Sequence, residues 1–538
     1  GRDFYKTGVS GVHGGRDFLH LSETLLSEVL LDNGYKTGTW GKWHLGKNER
    51  YMPHERGFEE AYYAELYQHK NSAGFLNGTP VKHQDWVSNV ITDYTIEFIE
   101  KHNKTPFFAY ASFLAPHEPW LAPKQYTDKF IQLGFRPAIA NLYGMIEEMD
   151  AQIGRLLKAL DDQKLADNTI VIFMSDNGPW WDSSNFGAMT KSEWHARNPS
   201  KLNGNKGQSW QNGVKSPLFM RYQGQWQPQT ISRYVDVKDI FPTLLDVSAI
   251  TLPDSHKPLD GVSFKAYLEG NTQGVNPRET YIASHDVIST AKHFNQWTPI
   301  DDEVRKGMLF SQQLIGLRTE KYKLLLNAAN DQAHYPKAVD NLMLFDMQKD
   351  PLETRNIINE QPDIALKLQD KLAAKFTHLL HDKQSYRVPV YTVGGLSDVS
   401  VINGFGPAKT FGNVVSKAHH LTGLKGKGDG ADYQINVITA NAYDVYLKQS
   451  NTNGSGLSIT LGVQPVKLSG QNSIKAQLNG ELLQKIGTLD LSKGEQSLRF
   501  EVTGNQSQKH WAEISGLRRL ILVPKNFTLS PQHLIMPN

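Results

Sequence analysis

Hydrophobic and polar positions in the first three hundred residues switch between a helical period and uninterrupted apolar runs. In "LSETLLSEVLLDNG" (21–34) leucines recur at helical spacing, Ser22 is a typical N-cap, and Gly34 is a typical stop. Later segments predict helices at 86–103 and 141–162. A short strand that runs into a loop is predicted at 35–46, and buried strands that end in loops are predicted at 106–120 and 168–181. Because such helices and strands alternate, the pattern predicts an α/β domain with a largely parallel sheet.

The pattern changes further along the chain, and the changes predict domain boundaries. We assign residues 1–298 to the α/β domain and 299–382, with short strands, a turn and a helix at 362–381, to a small antiparallel α+β subdomain. Segment 383–412 is rich in Gly, Pro and Val and predicts a linker. Residues 413–538 contain short strands separated by Gly and Asn turns, which predict a β-sandwich of about eight strands.

Length, charge and cysteine content restrict the possible functions. The chain has 538 residues, so more than one domain is expected. Its net charge of +2 gives no electrostatic argument for binding nucleic acid or a membrane, and no apolar run is long enough for a membrane span. Cysteine is absent, which excludes disulfides, thiolate metal sites and cysteine nucleophiles within these residues.

Polar clusters follow three of the predicted strands at the point where each strand ends. The carboxyl ends of parallel strands meet at one edge of a sheet, where ligands bind in α/β proteins. We therefore expect these clusters to form one shared site. They are Lys42 and His44 in "GKWHLG", His117 and Glu118 in "LAPHEPW", and Asp176 and Asn177 in "MSDNGPW".

Each candidate also has a purely structural interpretation. Asp176 and Asn177 offer hard oxygen donors suited to Ca²⁺ or Mg²⁺, but Asp-Asn-Gly is also a common turn. His117 lies between prolines and could be a packing or capping residue. Lys206, among small residues in "NGNKGQSW", is either a solvated loop lysine or an anion ligand. Taken singly, none of these residues decides the function.

Taken in order, these segments resemble the formylglycine-dependent sulfatases of the alkaline phosphatase superfamily. "GYKTGTWGKWHLG" is similar to the second signature of that family, and the likeness continues over most of residues 1–382. It includes "SFLAPHEPW", "YGMIEEMDAQIGRLL", "SDNG", "NGNKGQSWQNGVKSPLFMRY", "VDVKDIFPTLLD", "LDGVSF", "IGLRTEKYKL" and "LFDMQKDPLETRN". The resemblance implies a sulfatase-like α/β/α sandwich with the small α+β subdomain, followed here by the β-sandwich module.

The resemblance also implies roles for the metal and sulfate ligands. Asp176 and Asn177 would supply two ligands to a metal, which we expect to be Ca²⁺, with Mg²⁺ as an alternative. Lys206 and His117 would hold the sulfate oxygens, and one of them would protonate the leaving alcohol.

The nucleophile itself is expected outside these residues. In the family it is a formylglycine made from Cys or Ser, and "GRDFYKTGV" resembles the segment directly after its signature. Lys42 would bridge the metal carboxylate and the nucleophile, and His44 would contact the nucleophile. Two further aspartate ligands, the signature arginine and any signal peptide would also precede Gly1. We therefore expect the 538 residues alone to be inactive, and the whole protein to need a formylglycine-generating or anaerobic maturation enzyme.

Two segments with aromatic and basic residues are candidate substrate-binding walls. A sulfated polysaccharide or oligosaccharide is the expected substrate, and a periplasmic or secreted location follows from the resemblance. The candidates are Trp180, Trp181, Trp194, His195 and Arg197 in one loop, and Tyr67, His69 and Lys70 in the other. The first loop could equally hold an aromatic mini-core. The β-sandwich is either carbohydrate-binding-like or a packing module for the catalytic domain.

Two alternative functions are kept. One is another hydrolase of the superfamily, a phosphodiesterase or phosphonate monoester hydrolase, although "GKWHLG" with a single "NKG" lysine favours sulfate. The other is a non-catalytic glycan-binding protein on a sulfatase scaffold. The retention of six candidate site residues argues against it.

Overall fold

The computed structural model describes residues 1–9, 17–180, 189–254, 256–271, 278–283, 297–328, 341–464, 472–506, 513–514 and 516–535. Its helices are α1 Phe4–Thr7, α2 Leu26–Asp32, α3 Val87–Lys101, α4 Lys124–Gln132, α5 Pro137–Asp162, α6 Lys191–Ala196, α7 Gln211–Val214, α8 Ile240–Val247, α9 Lys265–Leu268, α10 Asp302–Gly307 and α11 Pro362–His381. Across this described part of the chain, no helix is both long enough and apolar enough to cross a membrane.

A five-stranded sheet forms the centre of the first domain. Its strands are β1 Lys36–Gly41, β2 Glu60–Ala64, β3 Ala73–Leu76, β4 Thr79–Lys82 and β5 Phe107–Ser112, in the order β4-β3-β2-β1-β5. β1 runs parallel to both β2 and β5, whereas β3 and β4 are antiparallel additions. Alternate residues of β2 face opposite layers, because Tyr62 packs with α3 residues such as Ile91, while Tyr63 packs with Trp43 and Phe58. The sheet is thus covered on both faces, as in the predicted α/β/α arrangement.

A separate antiparallel pair follows, formed by β6 Ile170–Met174 and β7 Leu218–Tyr222. The strand predicted at 168–181 is present as β6. Among the described residues it pairs with β7 and not with the five-stranded sheet. Several large side chains of this strand pair are exposed to solvent: Phe173 by 37% and Met174 by 36% on β6, and Phe219 by 67% on β7.

The small α+β subdomain is a four-stranded antiparallel sheet covered by one helix. Its strands are β8 Glu279–Ala283, β9 Ile315–Thr319, β10 Tyr322–Leu326 and β11 Leu342–Asp346, in the order β11-β10-β9-β8. α11 packs its apolar face on this sheet, where Leu372 and Leu379 are fully buried with Leu324 and Leu344. The helix predicted at 362–381 is therefore present with the same bounds.

The C-terminal module is a sandwich of two six-stranded sheets, whose inner faces share one large apolar core. Its strands are β12 Val390–Val393, β13 Ser400–Asn403, β14 Lys409–Phe411, β15 Val415–Ser416, β16 Leu421–Thr422, β17 Gly430–Val437, β18 Asn441–Gln449, β19 Leu457–Gln464, β20 Ser473–Gln477, β21 Leu483–Leu491, β22 Gly494–Asn505 and β23 Leu517–Pro524. One sheet has the order β12-β17-β22-β19-β20, with β14 also on β17. The other has the order β15-β16-β23-β18-β21, with β13 also on β23.

The structure differs from the sequence prediction in the segment 383–412. That segment is not a free linker, because it contributes β12, β13 and β14 to the sandwich sheets. These strands have three or four residues each and are separated by Gly and Pro. Their pattern is therefore too short to be recognised against the turn signals around it.

The core of the sandwich continues into the first domain. Phe18 and Tyr51 belong to the same apolar cluster as the sandwich residue Tyr391, and the ring of Phe18 meets that of Tyr51 edge-on at 4.9 Å. The Tyr51 hydroxyl donates to the Val390 carbonyl at 3.1 Å and accepts from the Val390 amide at 3.0 Å. The two domains therefore share one hydrophobic core across their junction.

Candidate functional site

The loop after β1 carries Lys42 and His44 and is fixed by close backbone contacts. At Gly41 φ is +117°, and a Cβ atom there would lie 1.9 Å from the Ser112 carbonyl oxygen of β5. The Lys42 amide donates to the same carbonyl at 2.9 Å, so strand pairing continues up to this lysine. His44 has a left-handed backbone with φ of 59°. Gly41 thus lets the chain leave the sheet beside the end of β5.

The end of β5 leads directly to His117. Its Nδ1 lies 3.0 Å from the Glu118 carbonyl oxygen and 3.2 Å from the Glu118 carboxylate. The Tyr67 ring contacts the imidazole edge-on, with 5.3 Å between ring centroids. Glu118 therefore orients the imidazole, a role that the sequence did not assign to it.

Asp176 and Asn177 lie in the turn after β6, and this turn is tied to the loop of Lys206. A Cβ atom at Gly178 would meet the Asn212 carbonyl oxygen at 1.6 Å, and the Gly178 amide donates to Gly213 at 3.1 Å. The Lys206 amide donates to the Pro179 carbonyl at 2.8 Å. The two loops therefore form one unit that presents a carboxylate, an amide and an ammonium group.

The charges of these loops act on one another. Burial is the largest cause that lowers the pKa of Lys42, followed by the charge of Lys206, while Asp176 and Glu118 oppose it. Burial likewise lowers the pKa of His117, with Lys42 and Lys206 acting in the same direction and Glu118 against it. The structure thus brings Lys42, Lys206 and His117 together near Asp176. Cations that repel one another in a partly buried site would be stabilised by an anion between them.

The donor set at Asp176 and Asn177 suits a hard divalent cation in kind but is incomplete in number. The two side chains offer carboxylate and amide oxygens, which Ca²⁺ and Mg²⁺ prefer. Within the described ranges, no group of three or more His, Cys, Asp or Glu side chains is arranged to hold a metal ion. By their chemistry, these two side chains suit part of a site for a hard divalent cation and do not complete one.

The aromatic loop behaves partly as a structural cluster. Trp194 is only 3% exposed and packs with Ile139 and Leu142, so its ring is not available to stack on a sugar. Arg197 lies over that ring, with its guanidinium carbon 5.6 Å from the centroid. His195 is exposed and Trp180 is 38% exposed, so both can meet a ligand. Trp181 lies outside the described residues.

The three residues of the second candidate wall differ in how far they are exposed. Tyr67 is 52% exposed and adjoins His117, so it lies at the site. His69 is 3% exposed, and burial lowers its pKa while the backbone of Glu118 and His117 opposes this. It therefore supports the His117 loop from within and does not face a ligand. Lys70 is exposed, with Nζ 5.9 Å from the Trp86 ring centroid.

The sequence did not assign a role to the residues that anchor the Lys206 loop. Glu353 accepts from the Gln211 amide at 2.8 Å, and its carbonyl accepts from Asn203 Nδ2 at 3.0 Å. The Trp210 indole donates to the Ala328 carbonyl at 2.8 Å. The motif "LFDMQKDPLETRN" contains Glu353, but nothing local indicates that its carboxylate reaches a loop 142 residues away.

Comparison with known proteins finds two family domains within the first 382 residues. A family model described as "Sulfatase" matches residues 1–250, and one described as "N-sulphoglucosamine sulphohydrolase, C-terminal" matches residues 205–382. Residues 1–382 therefore belong to the sulfatase family. The two matches cover both the five-stranded sheet and the small subdomain.

Curated relatives of this sulfatase-family chain are distant in sequence. The uncharacterized sulfatase YdeN of Escherichia coli (strain K12) is 27% identical over 374 residues, which are 63% of this chain and 60% of that protein. The ulvan-active sulfatase of Formosa agariphila is 27% identical over 263 residues, or 44% of this chain and 48% of that protein. The chain thus spans about half to three fifths of these two relatives.

Solved structures show the same fold. The crystal structure of Ps i-CgsB superposes with a TM-score of 0.54 at 22% identity, covering 69% of this chain and 79% of that chain. The same protein in complex with k-i-k-neocarrahexaose gives a TM-score of 0.53 at 20% identity, with the same coverage.

Proposed function

We propose that this chain carries the sulfate-binding machinery of a sulfuric ester hydrolase that acts on a sulfated polysaccharide or oligosaccharide. The observation that carries the proposal is the convergence of Lys42, Lys206 and His117 near Asp176, at the ends of β1, β5 and β6. Three cationic or potentially cationic groups around one point suit a small anion, and the family suggests a sulfate ester.

The chemistry explains why such groups are needed. As the bond between sulfur and the bridging oxygen breaks, negative charge builds on that oxygen. Lys206 and His117 are proposed to hold the sulfate oxygens, and one of them donates a proton to the leaving alcohol. Because their positions are fixed before the reaction, they stabilise the developing charge without reorganising, and each such donor is typically worth about 10²–10³ in rate.

A Ca²⁺ ion and a formylglycine are part of this proposal. Asp176 and Asn177 would supply two of the metal ligands, and the bound ion would neutralise charge on the sulfate group. Lys42 would lie between the Asp176 carboxylate and the nucleophile, where its lowered pKa eases proton transfer. His44 would contact the nucleophile and take part in its proton transfers.

The substrate class is supported by the relatives. One is described as active on ulvan, and one solved neighbour holds a neocarrahexaose. Tyr67 contacts His117, Trp180 and His195 lie on the segment between Asp176 and Lys206, and all three are exposed, so we propose them as sugar contacts. We further propose that the protein is exported to the periplasm or secreted, because large polysaccharides are met outside the cytoplasm.

The test uses the whole gene product, matured by a formylglycine-generating system and supplied with Ca²⁺. Sulfate released from a panel of sulfated polysaccharides and oligosaccharides is measured by ion chromatography. We expect release from at least one glycan and a loss of about 10²-fold or more in Lys206→Ala. Lys215→Ala, an exposed lysine on the same loop, is the matched control and should keep its activity.

Other outcomes decide against the proposal. If mass spectrometry confirms the aldehyde but no glycan loses sulfate, hydrolysis of phosphodiesters or phosphonate monoesters by the same preparation would assign phosphoester chemistry. Tight glycan binding without release of either group would assign a binding role.

A further inference from the structure

Basic side chains form a row on the outer face of the second sandwich sheet. Arg519 on β23 lies directly opposite Lys448 on β18, and opposite Asn403 on β13. Neighbouring residues of these strands, Leu447 and Leu520, point into the sandwich core. Because side chains alternate across a strand, Lys448 and Arg519 lie side by side on the opposite, outer face.

A β-bulge adds a second arginine to this face. The register between β18 and β23 shifts between Lys448 and Gln449, which leaves Arg518 as the extra residue between Leu517 and Arg519. Leu517 points into the core, whereas Arg518 is exposed and its Nε donates to Ser450 Oγ at 2.8 Å. The bulge therefore directs two consecutive arginines outward, where a regular strand would direct one of them inward.

Two further segments bring basic groups to the same place. The β15–β16 hairpin lies beside β23, and Lys417 at its turn has Nζ 6.0 Å from the Trp297 ring centroid. Lys47, five residues after Lys42, comes from the first domain. We call the whole group the basic cluster, and its members are Lys47, Lys417, His419, His420, Lys448, Arg518 and Arg519.

The members of the basic cluster repel one another. Burial is the first cause that lowers the pKa of Arg519 and Lys448, and the charge of Arg518 acts in the same direction on both. The charges of Lys47 and Arg518 likewise lower the pKa of His419 after burial. The basic groups of these three segments are therefore close enough for their charges to interact.

Little in the described structure balances this charge. Asp17 is the acidic neighbour of Lys47. Of the carboxylates that the structure describes, none forms an ion pair with Lys448, Arg518 or Arg519. Lys448 and Arg519 are partly buried without a carboxylate partner among the described residues, which costs free energy that an anionic ligand would offset.

We propose that the basic cluster is an auxiliary binding site for the sulfate groups of a sulfated polysaccharide, separate from the catalytic cleft. Guanidinium groups pair with sulfate oxygens in a bidentate manner, and several cations in a row match a polymer with repeated sulfates. Lys47 is buried and lies on the loop that carries Lys42 and His44, so it joins the basic cluster to that loop. The inference rests on the proposed substrate class.

The test compares binding of dextran sulfate with binding of unsulfated dextran by isothermal titration calorimetry on the 538-residue chain. In Arg518→Gln/Arg519→Gln we expect at least about tenfold weaker binding of dextran sulfate, because two charge-assisted contacts are lost. Lys475→Gln/Lys493→Gln removes the same charge from exposed positions of the module and should change the affinity less than about twofold. Unsulfated dextran should bind to none of the variants.

Stability separates a ligand site from a structural one. The arginine double variant should unfold at the same temperature as the parent chain or a higher one, since it removes mutual repulsion. A lower unfolding temperature in the arginine variant, equal loss of affinity in both double variants, or equally tight binding of single-stranded DNA would each overturn the inference.

Two further outcomes distinguish failure of the auxiliary site from failure of the proposed function. If Lys206→Ala loses the binding of dextran sulfate and the arginine variant keeps it, the cleft alone holds the polymer. The auxiliary site is then wrong while the proposed hydrolase stands. If the matured protein releases no sulfate but the arginine variant still loses binding, the hydrolase is wrong and the cluster stands.

Discussion

A buried ion pair in the small subdomain gives the sharpest prediction about the architecture of the site. Lys323 and Glu353 are both completely buried, and Lys323 Nζ lies 2.5 Å from Glu353 Oε1. The other carboxylate oxygen accepts from the Gln211 amide in the loop of Lys206. Replacing Lys323 therefore disturbs both the subdomain core and the support of a proposed sulfate ligand.

The size of the effect follows from burial. Burial is the largest cause that lowers the pKa of Lys323, and Glu353 is the main group that opposes it. In Lys323→Met the Glu353 carboxylate stays buried with only a neutral donor, which should cost about 3–5 kcal/mol of unfolding free energy. The double variant Lys323→Met/Glu353→Gln removes both charges, and it should be about 2–3 kcal/mol more stable than the sum of the single effects implies.

Two assays measure this. Urea unfolding of the four chains of the double-mutant cycle gives the coupling energy, and hydrogen exchange of peptides from 203–214 reports on the loop. We expect exchange in this loop to be at least about tenfold faster in Lys323→Met, which corresponds to a local loss of about 1.4 kcal/mol.

The same segment offers a matched control. Arg355 and Glu360 form an exposed ion pair with 2.8 Å between Nη2 and Oε1, so Arg355→Gln should cost less than about 1 kcal/mol. If Lys323→Met also costs less than about 1 kcal/mol and leaves exchange of 203–214 unchanged, the assigned positioning role of Glu353 is wrong.

The remaining predictions concern the β1 loop, the domain junction and a buried acid. Gly41→Ala forces a Cβ atom against the Ser112 carbonyl at positive φ, so we expect loss of soluble folded protein, seen by circular dichroism. Asn403→Ala removes the donor that holds Asn48 Oδ1 at 2.7 Å in the junction and should lower unfolding free energy by about 1–3 kcal/mol. Burial raises the pKa of Glu148 to about 7, whereas the unfolded chain titrates near 4.5. The folded state therefore loses stability as pH rises from 4.5 to 7, and Glu148→Gln should gain about 1–3 kcal/mol at pH 8 but little at pH 5, measured by thermal unfolding.

The parts of the fold that sequence predicted are those set by local periodicity. The helical pattern at 86–103 became Val87–Lys101, because its apolar stripe packs on β1 and β5. The strand and loop predicted at 106–120 became strand Phe107–Ser112 and the loop after it. Pro116 and Pro119 cannot donate ladder hydrogen bonds, so the chain continues as the loop that carries His117.

What sequence could not predict depends on contacts between distant residues. Trp194 has the same local surroundings in a sugar-binding loop or a mini-core, and only its packing on α5 decides that its ring is buried. Asn48 and Asn403 are 355 residues apart, and no pattern within either segment indicates that their side chains meet. The Lys206 loop, similarly, is anchored from the small subdomain.

These distant contacts explain how mutually repelling cations can be held together. The loop of Lys42 and His44 continues into Asn48 and Tyr51, which are hydrogen bonded to the β-sandwich. The loop of Lys206 is held instead by the small subdomain, through Glu353 and the buried ring of Trp210. Each downstream module thus stabilises one wall of the proposed site. Its apolar core supplies free energy that can offset the repulsion between Lys42 and Lys206, so the cations stay preorganised for an anion before any ligand binds.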